Sequence, residues 1–143
     1  MTITMFKEFS CSCEKCQFMC HTPCCGTPEE IERIIEAGYG DRLCLDDWEG
    51  EAPDIHPALK GYESERAPWD VCSPSGCTFW KNGLCELHDK GLKPLGGRAA
   101  YHTKERDYET VAEYIGRSWD TDKGRDLIDK WSKRFIIEDF NAR

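Results

Sequence analysis

Six of the ten cysteines, Cys11, Cys13, Cys16, Cys20, Cys24 and Cys25, fall within fifteen residues, and Cys44, Cys72, Cys77 and Cys85 complete the set. Thiols at this density either crosslink or hold metal. The chain opens Met-Thr-Ile-Thr-Met-Phe-Lys-Glu, without the uninterrupted apolar run of an export signal. The expected setting is therefore a reducing cytoplasm, where disulfides do not persist and clustered thiols serve as metal ligands.

Metal sites are built from deprotonated soft ligands supplied by at least two short segments. The head offers Cys13-x2-Cys16, Cys16-x3-Cys20 and Cys20-x3-Cys24-Cys25, and a later segment offers Cys77 and Cys85. Adjacent Cys24 and Cys25 suit two metals or a polynuclear cluster.

The order and spacing of these residues resemble the YkgJ-type cysteine-cluster family, described as zinc- or iron-chelating. The resemblance is carried by Cys20-His-Thr-Pro-Cys24-Cys25, the helix start Thr27-Pro28-Glu29-Glu30-Ile31, then Cys77, Gly83-Leu84-Cys85-Glu-Leu-His88 and Leu92-Lys93-Pro94. It covers about residues 11–98. It implies Cys16, Cys20, Cys24, Cys25, Cys77 and Cys85 as metal ligands. The last cysteine of the family pattern is absent, and Leu95, Gly96 and Gly97 stand there. His88, three residues beyond Cys85 on a feasible Cys-x2-His spacing, is the expected replacement. Cys11 and Cys13 extend the site or fill a second one. Cys44 and Cys72 read equally as ligands or as buried thiols. Zinc is slightly favoured over iron or an iron–sulfur cluster, because cysteine-rich structural sites in small proteins are most often zinc sites, although C-x3-C spacing also suits iron–sulfur.

These residues need elements to position them. Thr27-Pro28-Glu29-Glu30 is a capping box with proline at the first helical position, and Ile31, Ile34 and Ile35 form an apolar stripe ending at Gly38. The dipole of this helix points its positive end at Cys24 and Cys25 and favours their ionised form. Residues 39–76 read as an irregular excursion with isolated short strands, in which Asp46-Asp47 and Glu49 form a solvated acidic run. Asn82-Gly83 predicts a hairpin that brings Cys77 and Cys85 together. Residues 104–140 predict two helices, with Tyr108, Val111, Ala112, Ile115 and Trp119 on one stripe and Leu127, Ile128, Trp131 and Phe135 on the other. The expected fold is a small metal-stabilised α+β protein, mostly irregular and α. It comprises a cysteine-cluster domain over 1–103, with a short β-hairpin, and a C-terminal helical hairpin over 104–143 packed on it.

At 143 residues the chain fits one ordinary domain, and 39% hydrophobic residues make a modest core that bound metal would supplement. A net charge of −8, from 19 basic and 27 acidic residues, disfavours nucleic acid. No segment approaches the ~18 apolar residues of a membrane span. The expected partner is another protein, or a second copy, docked on the C-terminal helices through Trp119 or Phe140. Lys90, Lys93, Arg98, His102, Lys104 and Arg106 make a basic stretch that reads as surface charge or as a seat for an anion. His21, His56, His88 and His102 are scattered singly, and no P-loop, nucleophile elbow or zincin motif is present. The leading expectation is a metal-binding protein whose metal is mainly structural and whose surface serves protein interaction. The alternatives are an iron–sulfur or iron-dependent enzyme or accessory subunit in protein modification or redox chemistry, and a metallochaperone. A similar cysteine arrangement in the flagellin lysine methylase implies the enzyme class. Whether the chain is an enzyme stays open at this stage.

Overall fold

Thr27 starts the first helix, α1 (Pro28–Ile34), as its sequence dictates. The Glu30 amide donates to Thr27 Oγ1 at 3.3 Å, and Glu30 Oε1 accepts from the Thr27 amide at 3.0 Å. Ile31 and Ile34 are fully buried. The helix loosens into a π-turn (Ile35–Tyr39) and a 3-10 turn (Gly40–Arg42). Gly38 breaks the regular helix there with φ of 99°, a conformation that glycine adopts at little cost. The computed structural model describes residues 23–46, 52–67, 76–82, 84–99 and 105–136. Cys11, Cys13, Cys16, Cys20, Cys72 and Phe140 lie outside the described residues.

The segment read as an irregular excursion instead carries a three-stranded sheet. Strands β1 (Leu43–Asp46) and β2 (Asp54–Pro57) pair antiparallel, and β3 (Arg66–Ala67) joins β1 in parallel, giving the order β2-β1-β3. Two alternating tetrapeptides, Leu-Cys-Leu-Asp and Asp-Ile-His-Pro, produce the pair. Leu43, Leu45, Ile55 and Pro57 share the buried core face, and Cys44, Asp46, Asp54 and His56 take the opposite face. A second, two-stranded unit is the expected hairpin, β4 (Trp80–Lys81) and β5 (Leu84–Cys85), with Trp80 opposite Cys85. Asn82 turns it with φ of 54°, as a tight hairpin requires. Cys77 lies outside β4 and forms an isolated bridge with Leu59.

A 3-10 turn (His88–Lys90) and a short helix, α2 (Leu95–Ala99), lead to α3 (Glu105–Trp119) and α4 (Asp122–Phe135). Thr121 caps α4 by accepting from the Gly124 amide at 3.1 Å. Val111, Ile115, Trp119, Leu127 and Trp131 are buried as their helical period requires, whereas Ala112 is exposed. Trp119 corrects the expectation of a docking face. It is 1% exposed, and its indole N–H donates to the Gly26 carbonyl at 2.7 Å. Trp131 likewise donates to the Gly40 carbonyl at 2.8 Å. Both indoles are thus consumed in joining the helical hairpin to the first helix. One apolar cluster runs from Ile31 through Leu43, Ile55 and Phe79 to Val111 and Trp131. The fold is mixed α+β. No helix among the described residues is long and apolar enough to cross a membrane.

Candidate metal centre

Cys24 and Cys25 sit on the turn that enters α1, and three contacts fix that turn. The Gly96 amide donates to the Cys25 carbonyl at 2.8 Å, Trp119 holds the Gly26 carbonyl, and Glu30 Oε1 also accepts from the Leu95 amide at 3.1 Å. The start of α2 therefore lies directly on the cysteine turn. A Cβ at Gly97 would stand 2.8 Å from Cys24 Sγ and 3.1 Å from Lys93 Cε, so only glycine allows this approach. Gly97 thus lets α2 close on Cys24.

Cys77 and Cys85 come from the other side. The Thr78 amide donates to the Ala58 carbonyl at 2.8 Å, and the Glu86 amide to the Phe79 carbonyl at 2.7 Å. Arg42 clamps this segment to the end of the helical turns. Its guanidinium donates to Glu86 Oε2 at 2.7 Å and to the Thr78 carbonyl at 2.6 Å, and lies 4.3 Å from the Phe79 ring centre.

All five described cysteines, Cys24, Cys25, Cys44, Cys77 and Cys85, are free thiols. Burial raises Cys24 well above the usual thiol range, and charge on Cys77, Cys85 and Cys25 raises it further, against the lowering effect of Lys93. Burial, then Asp54, pushes Cys25 up to about 12, with His56 opposing. Cys77 is likewise pushed up to about 12 by burial and by Cys85, against backbone hydrogen bonds and His56. The helix dipole that favours thiolate at Cys24 and Cys25 is outweighed by desolvation.

The polar face of β1–β2 holds a second group. The register sets Cys44 opposite His56 and Asp46 opposite Asp54. His56 Nε2 is 3.4 Å from Asp46 Oδ2, its Nδ1 is 2.7 Å from the Pro57 carbonyl, and Cys44 Sγ is 3.7 Å from Nδ1. Donor atoms of Asp46, Asp54 and His56 all lie within 4.8 Å of one another. Burial disfavours the charged imidazole, yet Asp46 and Cys44 together hold it well above its ordinary range.

The structure brings Cys24 into electrostatic reach of Cys25, Cys77 and Cys85, and Cys77 into reach of Cys85, although among the described residues no three of these thiols place their sulfurs within 4.8 Å of one another. His88 opens the 3-10 turn beyond β5 and is half-buried, while the imidazole that acts on Cys25 and Cys77 is His56. Two sequence readings are corrected here. Asp46 is drawn out of the solvated acidic run by strand pairing, and His56 is anchored rather than isolated. Alternation of apolar and ligand-type residues in both tetrapeptides was the signal that could have found them. No family model, no curated protein and no solved structure matches the chain.

Proposed function

We propose that the chain is a metal-binding cysteine-cluster protein in which zinc or iron, held by thiolates, is mainly structural, and the surface is left to protein partners. The observation that carries this reading is that Cys24, next to Cys25, lies within electrostatic reach of Cys77 and Cys85, all four uncrosslinked, on two segments 52 residues apart (77 − 25). Partly to fully buried thiols, of which Cys24 is raised by the charge of Cys77, Cys85 and Cys25, form a set that a divalent cation would stabilise, because it replaces several protons with one compact positive charge. The donor chemistry fits: four thiolates suit tetrahedral zinc and equally an iron–sulfur cluster. Zinc is favoured as the commoner structural ion. Cys11, Cys13, Cys16, Cys20 and His88 are further donors in this reading, in line with the cysteine-cluster resemblance. Partial to full burial of Cys24, Cys25, Cys77 and Cys85 favours a retained structural metal over a chaperone that hands its cargo on.

The test is elemental analysis with an absorption spectrum on protein purified without oxygen. Stoichiometric zinc in a colourless protein is the expected result. Iron with sulfide in a brown protein moves the reading to the iron–sulfur class, and protein free of metal sinks it.

A further inference from the structure

From the polar face of β1–β2 we infer a second cation site, formed by Asp46, Asp54 and His56, that takes a hard or borderline divalent ion of the Mn(II), Fe(II), Zn(II) class. It uses oxygen and nitrogen donors and does not need the thiols to bind metal, although Asp54 also interacts with Cys25.

His56 fixes the argument. The Pro57 carbonyl can only accept, so the 2.7 Å contact makes Nδ1 a donor and turns Nε2 towards Asp46 Oδ2, 3.4 Å away. In the metal-free protein a proton on Nε2 pairs these two atoms; a cation that displaces it meets two acceptors directed at the same point. Asp54 is the third acceptor within 4.8 Å. A proton can bridge only one pair of these atoms, whereas one cation engages all three. An independent sign comes from the same carboxylate: Asp46 Oδ1 is shielded from solvent and accepts no hydrogen bond. Such a buried acceptor calls for a positive partner.

The spacing also suits an ion. Two donors each about 2.1 Å from a tetrahedral metal stand about 3.4 Å apart, and the Nε2–Oδ2 separation is 3.4 Å. Donation of the other ring N–H to a backbone carbonyl is the usual way a ligating histidine is oriented. Cys44, 3.7 Å from Nδ1, packs against the same ring and is a positioning residue. Three protein donors leave coordination positions open, so the ion would accept water or an exogenous ligand. Carboxylate and imidazole donors suit Mn(II), which thiolates do not select. Mn(II) therefore reads this site without reading the thiols.

The experiment adds Mn(II) to the full-length protein as purified and follows binding by electron paramagnetic resonance. One Mn(II) per chain is expected, with at least tenfold weaker binding in Asp54→Asn and in His56→Ala. Circular dichroism checks that Asp54→Asn, nearly the same size, keeps the fold. A site already filled on purification is read instead as one metal equivalent fewer in Asp54→Asn by elemental analysis. If neither the Mn(II) affinity nor the metal content changes in the two variants, the site does not exist. Absence of zinc and iron from the purified protein would overturn the thiol reading and leave the Mn(II) result standing.

Discussion

The cysteine turn with its facing hairpin, and the β1–β2 strand pair, both gather ligand-type side chains, yet different forces hold them. Cys24, Cys25, Cys77 and Cys85 sit on turns and on a two-residue strand, where backbone pairing is sparse. Side chains from distant elements fasten them: Glu30 to α2, Trp119 to Gly26, and Arg42 to Glu86 and Thr78. Asp46, Asp54, His56 and Cys44 sit on two strands whose register alone sets them opposite one another. On the proposed reading, the first arrangement relies on a bound ion to resist opening. The second is built before any ion arrives, because Leu43, Leu45 and Ile55 lock the same strands into the core from their other face. A site of the first kind couples metal to folding, and a site of the second kind couples metal only to chemistry.

Metal removal should separate the two most sharply. Chelation, or Cys24→Ser combined with Cys85→Ser, is expected to abolish cooperative thermal unfolding, since the ion's binding energy is part of the folding energy. Asp54→Asn should move the melting temperature by only a few degrees. A chelated protein that melts where the native one does would show that the thiols are not a structural joint.

The next largest effect tests the fastening of the turn. Trp119→Ala deletes a fully buried indole and is expected to cost about 3–5 kcal/mol in urea unfolding. Trp119→Phe keeps most of the volume but strands the Gly26 carbonyl, at about 1–3 kcal/mol. Both should lower thiol-bound metal while leaving Mn(II) binding unchanged in the molecules that remain folded. Loss of Mn(II) in Trp119→Phe would mean that the two regions are one unit.

Legibility in the sequence divides along the same line. The capping box at Thr27, the Asn82 turn, and the stripes of α3 and α4 are local signals. Short-range physics decides them, so they could be read from residue order. Cysteines announce themselves by type, which made Cys24, Cys25, Cys77 and Cys85 readable as candidate ligands before any geometry. His56 and Asp46 are ordinary residues until β1 finds β2, and that pairing spans a stretch of polar and turn-forming residues that masks two strands of four. Trp119 misled for a related reason. Its helical stripe demanded burial, but the sequence could not say that a carbonyl on the cysteine turn was waiting for its N–H.

Gly97 offers a smaller and more selective probe. A methyl group there would meet Cys24 Sγ at 2.8 Å, too close for unstrained packing. Gly97→Ala is expected to cost about 1–3 kcal/mol by overpacking and to reduce zinc or iron content. The carboxylate–imidazole site should be untouched. Unchanged metal content in Gly97→Ala would show that α2 does not define the thiol set.

The smallest effect concerns the Arg42 clamp and carries a pH signature. The guanidinium holds the Glu86 carboxyl below its usual range. A depressed carboxylate contributes stability above its unfolded pKa, about 4.3, and loses it as pH falls through the lowered folded value. Both side chains are 27% exposed, so solvent screens the pair and the contribution is about 1 kcal/mol. Glu86→Gln should therefore be less stable than the native chain by about that amount at neutral pH, with the difference closing in acid, below the ordinary carboxylate range, as the native carboxyl is protonated. A difference of the same size at both pH values would assign the clamp to shape rather than charge. The hairpin carrying Cys85 would then be positioned chiefly by the Thr78 carbonyl and the Phe79 ring that Arg42 also engages.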